Sequence, residues 1–132
     1  MKYSKATDYA LHTMMFLAKK GSDSPTSVIE LAELQNISPT YLSKILTKLV
    51  KDGLISAISG ANGGYSLRRG WENISVLDII QAIEGKQSFF ECYVHEDDNC
   101  TIKHIMLNAE AKMDSILAST TLLDILNGKI SQ

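Results

Sequence analysis

The sequence predicts a mainly α-helical protein with one small β-hairpin, and three observations support this fold class. Apolar residues recur at three- and four-residue intervals through most of the chain, which is helical spacing. A glycine-rich stretch at residues 60–64 separates two short apolar segments, as the turn of a hairpin does. The 132 residues can bury a core, and a composition of 45% hydrophobic and 21% charged residues argues against wholesale disorder.

The first three helices are predicted close together. The first covers residues 6–20, where an apolar stripe repeats at helical spacing. The second follows a capping box that begins at Ser27, and Asn36 suits the left-handed residue that ends it. The third begins at Ser38, a good N-cap, and has a proline at its first position. Because only a tight turn separates the second and third helices, this pair has helix-turn-helix geometry.

A hairpin is predicted directly after the third helix. Two strand-like segments, 54–59 and 65–68, flank the dipeptide Asn62-Gly63. Asn-Gly is a strong hairpin signal because both residue types tolerate positive φ. A hairpin in this position is the wing of a winged helix-turn-helix domain, which we predict over residues 1–85.

The rest of the chain is predicted as a loop and a long helix. Residues 86–100 are irregular and contain both cysteines. From residue 101 a long helix carries apolar residues at steps of four and three, a heptad-type seam that favours dimerisation. The seam consists of Ile102, Met106, Ala109, Met113 and Ile116. We therefore predict a C-terminal dimerisation region over 101–132, including a last short helix; docking of the long helix on its own domain is the alternative.

The charge is distributed unevenly along the chain. The net charge of −2 combines +4 over residues 1–69 with −6 over residues 70–132. A basic half joined to an acidic half is typical of a nucleic-acid-binding part attached to a regulatory or assembly part. Chance clustering is the alternative on charge alone.

Candidate DNA-binding residues lie on the third helix and the hairpin. Lysines attract phosphates, and polar residues in the first turn of such a helix reach base edges or phosphates. The alternatives are a solvated lysine face and partial packing of Tyr41 against the wing. The candidates on the helix are Thr40, Tyr41, Ser43, Lys44 and Lys48, and those on the hairpin are Asn62, Gly63, Gly64 and Arg68.

Two motifs are specific in combination: Gly63-Gly64-Tyr65 in the wing and Ile83-Glu84-Gly85 at a helix end. With these motifs the chain resembles the Rrf-two family of bacterial winged-helix transcription regulators. The resemblance implies a homodimer formed through the long C-terminal helix. It also implies binding to a palindromic operator in double-stranded DNA, usually as a repressor.

The resemblance also implies a signal, such as redox, nitric oxide or iron–sulfur status. Cys92 and Cys100 match two of the three cysteines that hold an iron–sulfur cluster in some members, and Met106 stands near the position of the third. In some members an acidic residue and a histidine of the other subunit complete a two-iron two-sulfide cluster. Asp8 and His12 match that pair, and their spacing places them on one helix face.

Other interpretations of the cysteines and of the fold stay open. A cluster-free thiol switch is one, although the acidic neighbours of Cys92 are expected to raise its pKa. Inert cysteines and a winged-helix protein-interaction module are others. No phosphate loop, nucleophile elbow or metalloprotease motif appears, so an enzyme is not expected. Two cysteines and no apolar stretch near the about 20 residues of a membrane span favour a cytoplasmic protein without membrane contact.

Overall fold

The structure is a computed structural model that describes residues 3–21, 24–95 and 99–129. Within these ranges it contains six α-helices, one antiparallel hairpin and a short 3₁₀ turn at Trp71–Asn73. This confirms the predicted fold class. The elements are α1 (Lys5–Lys20), α2 (Val28–Gln35), α3 (Pro39–Lys51), β1 (Ile55–Ile58), β2 (Gly64–Leu67), α4 (Val76–Glu84), α5 (Thr101–Ser119) and α6 (Leu122–Leu126).

Side-chain caps begin most of the helices. Ser38 accepts a hydrogen bond from the backbone N–H of Tyr41 at 3.0 Å, which starts α3 as predicted. At Ser27 only half of the expected capping box forms, because the Glu30 carboxylate pairs with Lys20 at 3.0 Å instead. Asn36 ends α2 in the left-handed conformation, with φ of 54°. The turn between α2 and α3 is therefore fixed by local chemistry.

The hairpin forms as predicted, but its turn differs in detail. The loop between β1 and β2 spans residues 59–63, longer than the two residues that an Asn-Gly turn joins. Positive φ falls at Gly60 (107°) and Gly64 (149°) and at neither residue of the Asn62-Gly63 pair, so that expectation was wrong. A turn closed by the Gly63 N–H on the Gly60 carbonyl, at 3.0 Å, takes its place.

One core joins the N-terminal helices with the end of the chain. Leu42, Leu46 and Leu49 of α3 are fully buried in it together with Leu122 of α6. Thr121 pairs with Ser75 in an isolated antiparallel bridge, which brings the chain back to the start of α4 after α5. The packing thus places α6 against the same core as α1.

Helix α5 lies largely outside this core and packs on α4. Glu110 is the one buried residue of α5. Three isoleucines of the helix are largely exposed: Ile102 by 65%, Ile105 by 62% and Ile116 by 58%. The exposed apolar stripe shares Ile102 and Ile116 with the predicted seam and adds Ile105. Met113 is half-buried, with its sulfur 3.8 Å from the Tyr3 hydroxyl. No described helix is both long and apolar enough to cross a membrane.

Candidate nucleic-acid interface and cysteine site

The outer face of α3 is polar and exposed. Apolar residues at three- and four-residue steps turn one side of α3 into the core, which leaves the opposite side free. Four residues of that free side line a shallow depression together with Val28 and Pro39: Thr40, Ser43, Lys44 and Thr47. Thr47 was not among the predicted DNA-binding residues, although its position one turn after Ser43 places it on the same face.

The wing borders the same surface as α3. A second depression is lined by Val28 and by residues 57–60 and 63–65 of the hairpin. Because Val28 lines both depressions, the outer face of α3 and the hairpin border a surface made of two adjoining depressions. This surface, which we call the α3–wing surface, gathers Thr40, Ser43, Lys44, Gly63 and Gly64 from the predicted set.

Tyr41 and Lys48 lie at the edge of α3 nearer to α1 and α4. The Tyr41 ring packs edge-on against Tyr9 of α1, with centroids 5.8 Å apart and an angle of 86° between the planes. The ring contact of Tyr41 is thus with α1, whereas the alternative considered from the sequence was partial packing against the wing. Lys48 lies near enough to Glu84 for its charge to help lower the pKa of that carboxyl group.

Gly63 and Gly64 have an intramolecular role in the wing. A Cβ on Gly64 would lie 2.4 Å from the Thr26 carbonyl oxygen, and one on Gly63 would lie 2.2 Å from that of Ile58. Thr26 and Tyr65 exchange backbone hydrogen bonds of 2.9 and 2.8 Å, which hold the hairpin against the segment before α2. These glycines are needed for the wing to close, whatever it contacts.

Arg68 lies apart from the α3–wing surface. It lines a polar depression behind the hairpin together with Asp52 and Asp78. Asn62 is exposed at the wing tip. The roles of Asn62 and Arg68 in DNA binding stay predictions.

Cys92 and Cys100 come together, and His95 joins them. One ligand atom of each of these three residues lies within 4.8 Å of the other two. The Cys92 Sγ atom is 3.8 Å from His95 Nδ1 and accepts a hydrogen bond from the His95 backbone N–H at 3.4 Å. Cys100 is only 6% exposed and is the residue before α5, while Cys92 is half-buried. We call this group the cysteine site.

The Cys92 thiol is more acidic than its acidic neighbours suggested. Hydrogen bonds from the backbone N–H groups of His95 and Val94, and then from the His95 side chain, lower the pKa of Cys92 to about 7. The expectation of a raised pKa was wrong, because the hydrogen-bond donors outweigh burial, which is the cause that acts to raise the pKa. Three of the acidic neighbours, residues 96–98, lie outside the described residues.

Asp8 and His12 share a face of α1, as predicted, and contact each other. His12 Nδ1 lies 3.2 Å from Asp8 Oδ1 and 2.9 Å from the Asp8 carbonyl oxygen. Both residues are exposed or half-exposed, and neither belongs to the cysteine site of the same chain. His95 lies outside the predicted set of cluster ligands, although its position three residues after Cys92 allows both side chains to reach one metal ion.

Two carboxylates hold neighbouring parts of the structure together, one between α4 and α1 and one between α5 and the segment before Cys92. Glu84 Oε2 accepts hydrogen bonds from the Ser4 backbone N–H (2.8 Å), the Ser4 hydroxyl (3.1 Å) and the Thr7 hydroxyl (2.6 Å) at the start of α1. The buried carboxylate of Glu110 on α5 accepts from the Ser88 hydroxyl and the Phe89 N–H. The segment just before Cys92 is therefore held by α5, and α4 is held to α1.

The geometry defines a winged helix-turn-helix protein with a long, exposed C-terminal helix. Comparison with known families matches residues 3–128 to Rrf2, described as an iron-dependent transcriptional regulator. The chain belongs to this Rrf2 family, which confirms the resemblance found in the motifs.

Individual relatives agree with this assignment. CymR of Bacillus subtilis, a transcriptional regulator, is 36% identical over 125 residues, which cover 95% of this chain and 89% of the relative. NsrR of Halalkalibacterium halodurans is 31% identical over 135 residues, covering 98% and 92%. These relatives are named as transcriptional regulators, so this chain is a regulator and not an enzyme.

Solved structures show the same fold. The structure of B. subtilis CymR, called the global cysteine regulator, superposes with a TM-score of 0.84 at 34% identity and covers 97% of this chain and 98% of that one. A structure of IscR from T. potens superposes with a TM-score of 0.78 at 30% identity, covering 100% and 93%.

Proposed function

We propose that this transcriptional regulator represses its targets as a homodimer that binds a palindromic operator in double-stranded DNA. The observation that carries the proposal is the α3–wing surface, where an exposed polar helix face and a hairpin line two adjoining depressions. In this arrangement α3 enters the major groove and the wing tip reaches the flanking minor groove or backbone. A protein of this kind acts on the chromosome, so we place it in the bacterial cytoplasm.

The contacts divide into two kinds. Lys44 and Lys48 attract phosphates, and Thr40, Ser43 and Thr47 face base edges or phosphates from the lined side of α3. Tyr41 has a mixed role, since its ring also packs on Tyr9.

The test is fluorescence anisotropy with the native upstream region and an unrelated duplex, measured over a range of salt concentrations. Lys44→Ala should weaken binding to both duplexes and flatten the log–log salt dependence by about one unit. Thr47→Ala should lower affinity for the native region more than for the unrelated duplex. Lys129 is an exposed lysine that follows α6, away from the α3–wing surface. Lys129→Ala removes the same charge at that distant position and serves as the control. A Lys44→Ala variant that matches the Lys129→Ala variant would contradict the docking, and equal affinity for both duplexes would favour the protein-interaction module.

The exposed stripe of α5 supports the homodimer. Three isoleucines on one face are each more than half exposed in the single chain, and a second copy of α5 would cover them. A symmetric dimer presents two α3 helices to successive major grooves, which is what a palindrome requires. In this arrangement residues 1–85 bind DNA, residues 86–100 sense the signal and residues 101–132 form the dimer. Helix α6 packs against the core of the DNA-binding domain.

A sensing role is assigned to the cysteine site. The family implies an iron–sulfur cluster of the two-iron two-sulfide type, which takes two protein ligands at each iron. Cys92 and Cys100 would hold it on one side, and Asp8 and His12 of the partner subunit would complete it. Such a cluster, when bound, supplies a redox-sensitive centre with weak carboxylate and imidazole ligands at one end.

A cluster-free thiol switch is the second candidate, favoured by the lowered pKa of Cys92 and its closeness to Cys100. Anaerobic reconstitution separates the two. Iron and sulfide near two per subunit, lost in both Cys100→Ser and His12→Ala, would support the cluster. Release of DNA by an oxidant in iron-free protein, reversed by a thiol, would support the switch.

A further inference from the structure

We propose that Cys92, His95 and Cys100 of one chain form a binding site for a single thiophilic divalent cation of the zinc class. The site has three protein ligands and a fourth position left to water or another donor. The metal binding proposed here does not depend on DNA recognition. A role of the metal in regulation would rest on the proposed function.

The spacing of the donor atoms is that of ligands on one tetrahedral ion. Bonds of about 2.3 Å to sulfur and about 2.05 Å to nitrogen place a sulfur and a nitrogen about 3.6 Å apart, and two sulfurs about 3.8 Å apart. The Cys92 Sγ atom lies 3.8 Å from His95 Nδ1. All three donor atoms lie within 4.8 Å of one another, so closing the site needs shifts of about 1 Å or less.

The donor set also selects the ion. Two thiolates and one imidazole suit zinc and other borderline-soft ions and discriminate against magnesium and calcium, which prefer oxygen. The buried Cys100 immediately precedes α5 and supplies a fixed ligand, whereas Cys92 and His95 belong to the loop. A bound ion would therefore tie residues 92–95 to the start of α5.

A single ion and a two-iron cluster make different demands on the chain. The cluster needs four donors, two at each iron, and so requires residues beyond this group. The single-ion site needs no inorganic sulfide and no residue of α1. His12 is therefore a ligand of the two-iron cluster but not of the single ion.

The experiment measures zinc affinity of the full-length, reduced, metal-stripped protein by competition with a chromophoric chelator, with cobalt as a spectroscopic probe. We expect one zinc per chain and a cobalt complex with thiolate charge-transfer bands and tetrahedral d–d absorption. His95→Ala and Cys100→Ser should each weaken zinc binding by more than about a hundredfold, because loss of an outer-shell partner alone costs about 10- to 100-fold. Tyr93→Phe, which changes an exposed side chain of the same loop, is the matched control and should bind zinc as the wild type does.

Circular dichroism spectra confirm that each variant is folded. Zinc affinity that is unchanged in His95→Ala would overturn the proposal, as would the absence of stoichiometric zinc from folded wild-type protein. DNA binding is measured separately with the metal-free and zinc-loaded proteins. Failure to bind the native upstream region in both forms would contradict the proposed function and leave the metal measurement valid.

Discussion

Replacing Glu84 with alanine should destabilise the protein by removing the carboxylate that holds α1 to α4. One oxygen, Oε2, accepts three hydrogen bonds from Ser4 and Thr7 at the start of α1. A hydrogen bond to a charged group contributes about 1.5–3 kcal/mol, and a carboxylate at a helix N-terminus adds about 0.3–1 kcal/mol. Because the three bonds share one partly exposed oxygen, we expect about 2–3 kcal/mol for the whole group.

This free energy converts to a shift in melting temperature. With an unfolding entropy of about 2.1 cal/mol/K per residue, the 132 residues give about 0.28 kcal/mol/K. Glu84→Ala should therefore lower Tm by about 7–11 °C. The measurement is thermal unfolding followed by circular dichroism, at one fixed protein concentration because a dimer melts in a concentration-dependent way.

Glu84→Gln is the matched control, since it keeps an acceptor oxygen and removes only the charge. Burial acts to raise the pKa of Glu84, but the hydrogen bonds from Thr7 and Ser4 outweigh it and lower the pKa below the ordinary value of 4.5. A lowered folded-state pKa means that the stabilisation is present above the ordinary value and is lost as the pH falls through the folded-state value. The Tm difference between wild type and Glu84→Gln should be full near about pH 7 and shrink in acid. A Glu84→Ala variant that melts within about 2 °C of the wild type would refute the reasoning.

Two further substitutions test the wing and the α5 stripe. Gly64→Ala should lower the free energy of unfolding, measured by urea denaturation, by about 2–3 kcal/mol. The reason is that its Cβ would meet the Thr26 carbonyl at 2.4 Å and that φ at this position is 149°. Ala61→Ser in the exposed loop is the neutral control, and equal stability of the two variants would show that the wing closes differently. Ile105→Lys should convert the dimer to a monomer in sedimentation and weaken operator binding, whereas Ser115→Lys on another face of α5 should not. A dimer that survives Ile105→Lys would place the interface elsewhere.

The features that were predictable from the sequence are the local ones. The Ser38 cap of α3 and the left-handed Asn36 that ends α2 follow from residues a few positions apart, and both form as expected. The partner of Tyr41 and the location of Arg68 depend on how α1 and α4 pack around the wing, which no short spacing encodes. The acidity of Cys92 depends on where the loop backbone points its N–H groups.

The contacts around Phe89 indicate how a change at the cysteine site would reach the α3–wing surface. Phe89 is three residues before Cys92, its N–H is held by Glu110 of α5, and its ring packs edge-on against Tyr3 with centroids 5.3 Å apart. Tyr3 directly precedes Ser4, the N-cap of α1, which donates hydrogen bonds to Glu84. A ligand or oxidation event that moves residues 92–95 therefore acts on a segment already clamped between α5 and α1. In the proposed dimer α5 sets the two-fold axis and α1 packs on α3, so a shift of one against the other changes the separation of the two α3 helices. Since half-sites must lie about 34–36 Å apart, a small change in that separation is enough to alter operator affinity.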